Sequence, residues 1–182
     1  MKDIPAAILE RAQRVKLVIF DVDGVLTDGG LMFTAEGDVM KAFHSVDGYG
    51  LKLLRETGIA TAIITGRRSD IVQVRAKELQ IDHLYQGVAD KNTALNDLLA
   101  VTGIAASDCA YMGDDWPDLG AMLRCGLTTA PANAHPEVLA RAHWVSQARG
   151  GYGAARELID LILRAQNHYE ALLARACAAT LG

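Results

Sequence analysis

The stretch Val18-Ile19-Phe20-Asp21-Val22-Asp23-Gly24-Val25 runs from aliphatic and aromatic residues straight into two carboxylates and a glycine. Its first half reads as a strand at 17–20, and its second half as the turn that ends the strand. Carboxylates two residues apart on a straight strand share a face, but at a strand end the chain bends and they can take different tasks. One can serve as nucleophile and metal ligand, the other as proton donor. Aspartate and glycine are also ordinary turn residues, so the stretch gains chemical meaning only from what the fold brings beside it.

Outward from this strand, short apolar runs alternate with longer helical patterns. Strands are expected at 17–20, 60–64, 83–85, 109–112, 127–129 and 144–145. Helices are expected at 48–57, 68–79, 91–102, 117–124, 135–141 and from 153 onward. Such alternation predicts right-handed βαβ units and hence an α/β fold with a doubly wound parallel sheet. Ligands of such sheets bind beyond the carboxyl ends of the strands, so residues directly after strands are the candidates for chemistry.

Three more strand ends qualify. Ile63-Ile64 leads into Thr65-Gly66-Arg67, where a hydroxyl and a backbone amide at a helix start can hold a phosphoryl oxygen, or the threonine can simply cap the helix. Lys91 opens a helix after Ala89-Asp90, a position equally suited to a solvated charge. Tyr111-Met112 leads into Gly113-Asp114-Asp115 with Asp118 a turn further on, an acidic cluster that suits a hard cation or the positive end of a helix.

At 182 residues, 51% of them hydrophobic, the chain suits one well-packed domain spanning 1–182. A net charge of −4 gives no electrostatic case for nucleic acid. Cys109, Cys125 and Cys177 are odd in number and widely spaced, which favours reduced core thiols and the cytoplasm over disulfides or zinc. Residues 1–14 lack the unbroken apolar core of a signal peptide, and no apolar run reaches membrane-spanning length.

Between the first two motifs, 28–43 offers only two short runs, 31–34 and 38–43, around Ala35-Glu36-Gly37, which reads as a β-hairpin flap. It would display Met32, Phe33, Met40 and Phe43, apolar side chains that a monomer leaves partly wet, so a homo-oligomer is expected.

The order Asp-x-Asp, Thr-Gly, Lys, Gly-Asp-Asp resembles the haloacid dehalogenase superfamily of phosphatases. That resemblance implies that Asp21 attacks phosphorus, that Asp23 is general acid and base, and that Thr65 and Lys91 hold the phosphoryl group. It also implies Mg²⁺ on Asp21, Asp23 and Asp114, with Asp115 and Asp118 behind these ligands tuning the metal. Phosphoryl transfer between two anions needs charge neutralised at both, which a magnesium ion and a lysine supply.

More narrowly, 17–166 resembles the 3-deoxy-D-manno-octulosonate 8-phosphate (KDO 8-phosphate) phosphatases, a capless, tetrameric branch. The matching segments include Asp21-Val22-Asp23-Gly24-Val25-Leu26-Thr27-Asp28-Gly29, Lys41-Ala42-Phe43, Asp47-Gly48-Tyr49-Gly50, Ala134-His135-Pro136 and Gly150-Gly151-x-Gly153-Ala154-x-Arg156-Glu157. Tyr152 stands where some relatives have arginine, and the run Trp116-Pro117-Asp118 is compressed relative to some members. The resemblance implies hydrolysis of KDO 8-phosphate on the way to lipopolysaccharide, a flap at 28–43, no cap domain, a C-terminal helix and tail at 153–182, and a homotetramer. Arg67, beside Gly66, is the candidate for the sugar's carboxylate, because guanidinium pairs with carboxylate bidentately.

Two competitors are weighed. A phosphatase for a nine-carbon sugar acid shares every motif, although 182 residues leave no room for fusion to a second enzyme. A signalling receiver domain also combines aspartates, Mg²⁺, threonine and lysine, but its lysine comes last, whereas Lys91 precedes Gly113-Asp114-Asp115.

Overall fold

The computed structural model describes residues 4–178. In chain order the elements are α1 (Ala6–Gln13), β1 (Leu17–Phe20), β2 (Met32–Thr34), β3 (Gly37–Met40), α2 (Ser45–Glu56), β4 (Ala60–Thr65), α3 (Asp70–Leu79), β5 (His83–Gln86), α4 (Lys91–Thr102), β6 (Cys109–Met112), α5 (Trp116–Met122), β7 (Leu127–Ala130), α6 (Pro136–Leu139), β8 (Trp144–Val145), α7 (Ala154–Ala165) and α8 (Tyr169–Ala178). Six strands form one sheet in the order β5-β4-β1-β6-β7-β8, every pairing parallel. The doubly wound α/β fold expected from the alternation is the fold observed.

β1 lies inside the sheet between β4 and β6, which is where the strand order reverses. Its side chains are buried on both faces: Val18 and Phe20 join the layer of α1, α2, α3 and α7, while Leu17 and Ile19 join that of α4, α5 and α6. Burial on both faces is why the strand is apolar at every position and not alternating. α7 is the helix of the first layer with the widest apolar stripe, Leu158, Ile159, Leu161, Ile162 and Leu163 all being fully buried.

The sequence reading gave α2 as starting at 48, but the helix begins at Ser45 and runs through both glycines of Asp47-Gly48-Tyr49-Gly50. Glycine there serves close packing: a Cβ on Gly48 would stand 2.4 Å from a guanidinium nitrogen of Arg75 on α3. Asp47, buried in the first turn of α2, accepts the N–H groups of Gly153 at 3.3 Å and Arg156 at 2.8 Å, capping α7 from another part of the chain. Asp47→Ala is expected to cost about 1–3 kcal/mol, since the first N–H groups of α7 lose a buried acceptor. A urea midpoint unchanged from wild type would contradict that assignment.

Two further differences lie near the ends of the chain. α1 lies where none was expected, anchored by Ile8 and Ala12 against the first layer. The helix expected from 153 onward is two, because Asn167 takes a left-handed conformation (φ 63°) between α7 and α8. The flap is a hairpin, β2 pairing antiparallel with β3. It is shorter than read from sequence, and Phe43 is not on it: that ring lies against the first core layer, with the Arg75 guanidinium over it. Met32, Phe33 and Met40 are each more than half exposed. Cys109 and Cys125 are buried, whereas Cys177 is exposed on α8, against the expectation of core thiols throughout. Among the described residues no helix is long and apolar enough to cross a membrane.

Candidate active site

Asp21 is the first residue past β1, and its N–H donates to the Met112 carbonyl at the end of β6. The chain then closes a tight turn in which the N–H groups of Val25, Leu26 and Thr27 all donate to the Val22 carbonyl. Gly24 within it has φ +95°, and a Cβ there would lie 2.0 Å from Asp114 Oδ2. Only glycine lets the β1 turn approach the carboxylate delivered by β6 this closely. The tail motif supports the same turn, the Gly151 N–H donating to the Val25 carbonyl at 2.9 Å.

Lys91 stands in the first turn of α4, whose N-terminus is capped by the Asp90 side chain. Its buried ammonium lies 2.9 Å from Asp21 Oδ2 and 2.7 Å from Asp118 Oδ1. Asp118 is fully buried and heavily engaged. Besides Lys91 it accepts the Tyr111 hydroxyl at 2.9 Å and the N–H groups of Asp114 and Asp115 at 3.2 and 3.3 Å. Asp115, by contrast, is exposed and spends its carboxylate capping α5 through the Trp116 N–H at 2.8 Å.

Carboxylate oxygens of Asp21, Asp114 and Asp118 lie within 4.8 Å of one another. Asp21 Oδ1 and Asp114 Oδ1 are buried without a hydrogen-bond partner, while the oxygens of Asp118 are satisfied. Two open, hard oxygens facing a crowded set of carboxylates fit a divalent cation such as Mg²⁺, with Asp118 bracing the site. The crowding is visible in the acidities. Burial pushes the Asp21 carboxyl up to about 6, helped by the Asp118 charge and opposed by Lys91. Burial, then the charges of Asp21 and Asp118, pushes Asp114 up to about 8. Burial opposes the charge of Lys91, but its two carboxylate neighbours outweigh it and the pKa is raised.

Thr65 ends β4, buried and next to the β1 end in the sheet, where Phe20 pairs with Ile63. Gly66 and Arg67 follow it on the exposed rim, Arg67 with its Nε 3.9 Å from Asp23 Oδ2. The Asp23 carboxylate lies outside the trio just described and accepts a hydrogen bond from Lys41 at 2.6 Å. The structure thus gathers Asp21, Lys91, Asp114 and Asp118 into one cluster, sets Asp23 and Arg67 in contact beside it, and leaves Asp115 at its edge. Two residues escaped the sequence reading. Tyr111 carried a faint signal, a hydroxyl in an otherwise apolar strand. Lys41 carried another, a charge in the apolar run Val39-Met40-Lys41-Ala42-Phe43.

Comparison with known proteins is consistent with this geometry. Residues 81–158 match the family model described as haloacid dehalogenase-like hydrolase. The 3-deoxy-D-manno-octulosonate 8-phosphate phosphatase KdsC of Yersinia pestis is 45% identical over 163 residues, covering 90% of this chain and 87% of that protein. KdsC of Escherichia coli K12 is 44% identical with the same coverage. The crystal structure of the phosphatase from Moraxella catarrhalis, in complex with a magnesium ion, a phosphate ion and a KDO molecule, superposes with a TM-score of 0.89. It is 45% identical and covers 92% of this chain and 97% of its own. Identity of this order along nearly the whole of both chains leaves one conclusion: the chain belongs to the KDO 8-phosphate phosphatase family of haloacid dehalogenase-like hydrolases.

Proposed function

We propose that this chain hydrolyses KDO 8-phosphate to KDO and inorganic phosphate through a phosphoryl-Asp21 intermediate, as a cytoplasmic step toward lipopolysaccharide. The observation that carries the phosphoryl chemistry is the pair of open oxygens, Asp21 Oδ1 and Asp114 Oδ1, beside the Lys91 ammonium. Substrate identity rests on the likeness to phosphatases of that name along 90% of the chain.

Asp21 and Asp114, with the Asp23 backbone, are the residues to hold Mg²⁺. The ion's charge lets an anionic phosphate approach a carboxylate. In the first half-reaction the Asp21 carboxylate forms a bond to phosphorus as the bond to the sugar oxygen breaks, and Asp23 gives that oxygen its proton. In the second, water attacks phosphorus, Asp23 takes the water's proton, and the Asp21–phosphorus bond breaks. Lys91 and the Thr65 hydroxyl hold phosphoryl oxygens with the Gly66 N–H, and Asp118 keeps Lys91 aimed at Asp21. Arg67, half-exposed at the rim, takes the sugar's carboxylate. Asp115 and Asp118 tune the metal only indirectly, through the cap of α5 and the hydrogen bonds to Lys91.

The direct test is hydrolysis of KDO 8-phosphate beside phosphates of a nine-carbon sugar acid and of common hexoses, with and without Mg²⁺. A preference of at least about tenfold in kcat/KM for KDO 8-phosphate is expected, the scale of one or two lost sugar contacts. A flat profile would reduce the reading to a general phosphatase.

Assembly is part of the proposal. The exposed Met32, Phe33 and Met40 on the hairpin offer burial of about 1.5–3 kcal/mol each against a neighbouring subunit, before association entropy is subtracted. A homotetramer in which the hairpin closes a neighbour's site uses that surface. Changing Met32 and Met40 together to glutamate is expected to lower the sedimentation coefficient and activity in parallel over a dilution series. A fully active monomer would rule the arrangement out.

A further inference from the structure

Lys41 follows β3 by one residue, at the foot of the hairpin. Its side chain is 2% exposed and ends with Nζ 2.6 Å from Asp23 Oδ1. On the other oxygen, Arg67 Nε lies 3.9 Å from Asp23 Oδ2, and the same guanidinium sits over the Phe33 ring of β2, 5.3 Å from its centroid. Both oxygens of Asp23 therefore face cations, one carried by the hairpin and one resting on it. A lysine stem ordinarily lets its ammonium reach water, so a head buried within hydrogen-bond distance of Asp23 is a costly placement that points to a role at that carboxylate.

We propose that Lys41 is a positioning residue for Asp23, coupling the seating of the hairpin to the geometry of proton transfer. A charge-assisted N–H at 2.6 Å stabilises negative charge on Oδ1 and makes it the poorer seat for a proton, so Lys41 biases the transferred proton toward Oδ2. From Oδ2 the proton goes to the sugar oxygen as its bond to phosphorus breaks and the Asp21–phosphorus bond forms. The same oxygen then receives a proton from the attacking water. Arg67 lies on the Oδ2 side, so the group proposed to bind the substrate's carboxylate borders the oxygen that serves its leaving group. A hairpin displaced from the site withdraws Lys41 from Asp23, which makes proton transfer sensitive to whatever covers the flap.

The inference rests on the phosphatase reading and predicts a dependence on the leaving group. Wild type, Lys41→Met and Lys41→Arg are compared on KDO 8-phosphate, whose alkoxide must be protonated, and on p-nitrophenyl phosphate, whose leaving group departs without a proton. Release of each leaving group is followed in the first turnover at saturating Mg²⁺. Lys41→Met is expected to lose about 10²-fold or more on KDO 8-phosphate, the scale of a misplaced general acid, while nitrophenolate release changes little. Lys41→Arg, which keeps a cation at Oδ1, is expected to recover part of that loss. The ratio of the two rates within one variant is independent of how much of the sample is folded. An equal loss on both substrates, or no loss on either, overturns the proposal for Lys41 alone. A wild-type protein inactive on both overturns the phosphatase reading and this inference with it.

Discussion

Asp21→Asn is expected to remove turnover altogether, by a factor on the order of 10⁴ or more, as when other enzymes lose a covalent nucleophile. An amide is a poor nucleophile and a weaker ligand for a hard cation, so the substitution strikes the phosphoryl intermediate and the metal site together. It also changes the partner of Lys91, whose ammonium lies 2.9 Å from Asp21 Oδ2 and is left with Asp118 as its remaining anion. The asparagine is nearly isosteric with aspartate, so the fold is expected to survive, and a near-native melting temperature with no phosphate release is the anticipated pair of readings. Steady-state assay with KDO 8-phosphate, together with mass spectrometry for a trapped phosphoryl adduct in wild type but not in the variant, checks it. Near-normal turnover by Asp21→Asn would sink the covalent mechanism.

Metal removal is the second large effect, and it carries a pH signature. EDTA is expected to silence the enzyme and Mg²⁺ to restore it, with Asp114→Ala mimicking chelation and resisting rescue. Without the ion, burial and neighbouring charge raise Asp114 to about 8 and Asp21 to about 6, against an ordinary value of 3.8. Both shifts are upward, so the metal-free fold keeps protons that the unfolded chain has lost. Its stability is therefore expected to fall as pH rises from about 4 through 8. Mg²⁺ competes with those protons. Between pH 6 and 8, where Asp114 holds the proton to be displaced, affinity is expected to tighten by about tenfold per pH unit. Titration calorimetry at the two pH values, and a thermal shift by Mg²⁺ that is larger at pH 8, measure this. Equal affinity at both would show that these carboxylates do not bind the cation.

Much of the fold was legible in local pattern, because a parallel strand buried on both faces must be apolar throughout and each helix between strands must show one apolar face. β1 and β6 were read to the residue, as was α4. The misses share a cause. The expected α2 at 48–57 lacks the helix's first turn, where Asp47 is buried and accepts the N–H groups of Gly153 and Arg156, a contact that leaves no local trace. α1 and the break at Asn167 were invisible because packing on α7 and a single left-handed residue decided them.

The chemistry divides in the same way. Asp21, Asp23, Thr65, Lys91 and Asp114 could be singled out from sequence because each lies at, or within three residues of, the end or start of an element, where a doubly wound sheet exposes its ligands. Contacts across the chain were beyond sequence. Nothing local distinguishes Asp115, which caps a helix, from Asp118, which meets Lys91 and Tyr111 in the interior. Nothing local says that Lys41, at the foot of an exposed hairpin, has its ammonium buried against Asp23. Periodicity and turn chemistry record how each segment meets water or core, and so the sequence by itself determined the architecture and the strand ends that bear the motifs. Which carboxylate oxygens are satisfied and which stay open depends on distances between segments up to about a hundred residues apart, and only the tertiary structure decided that.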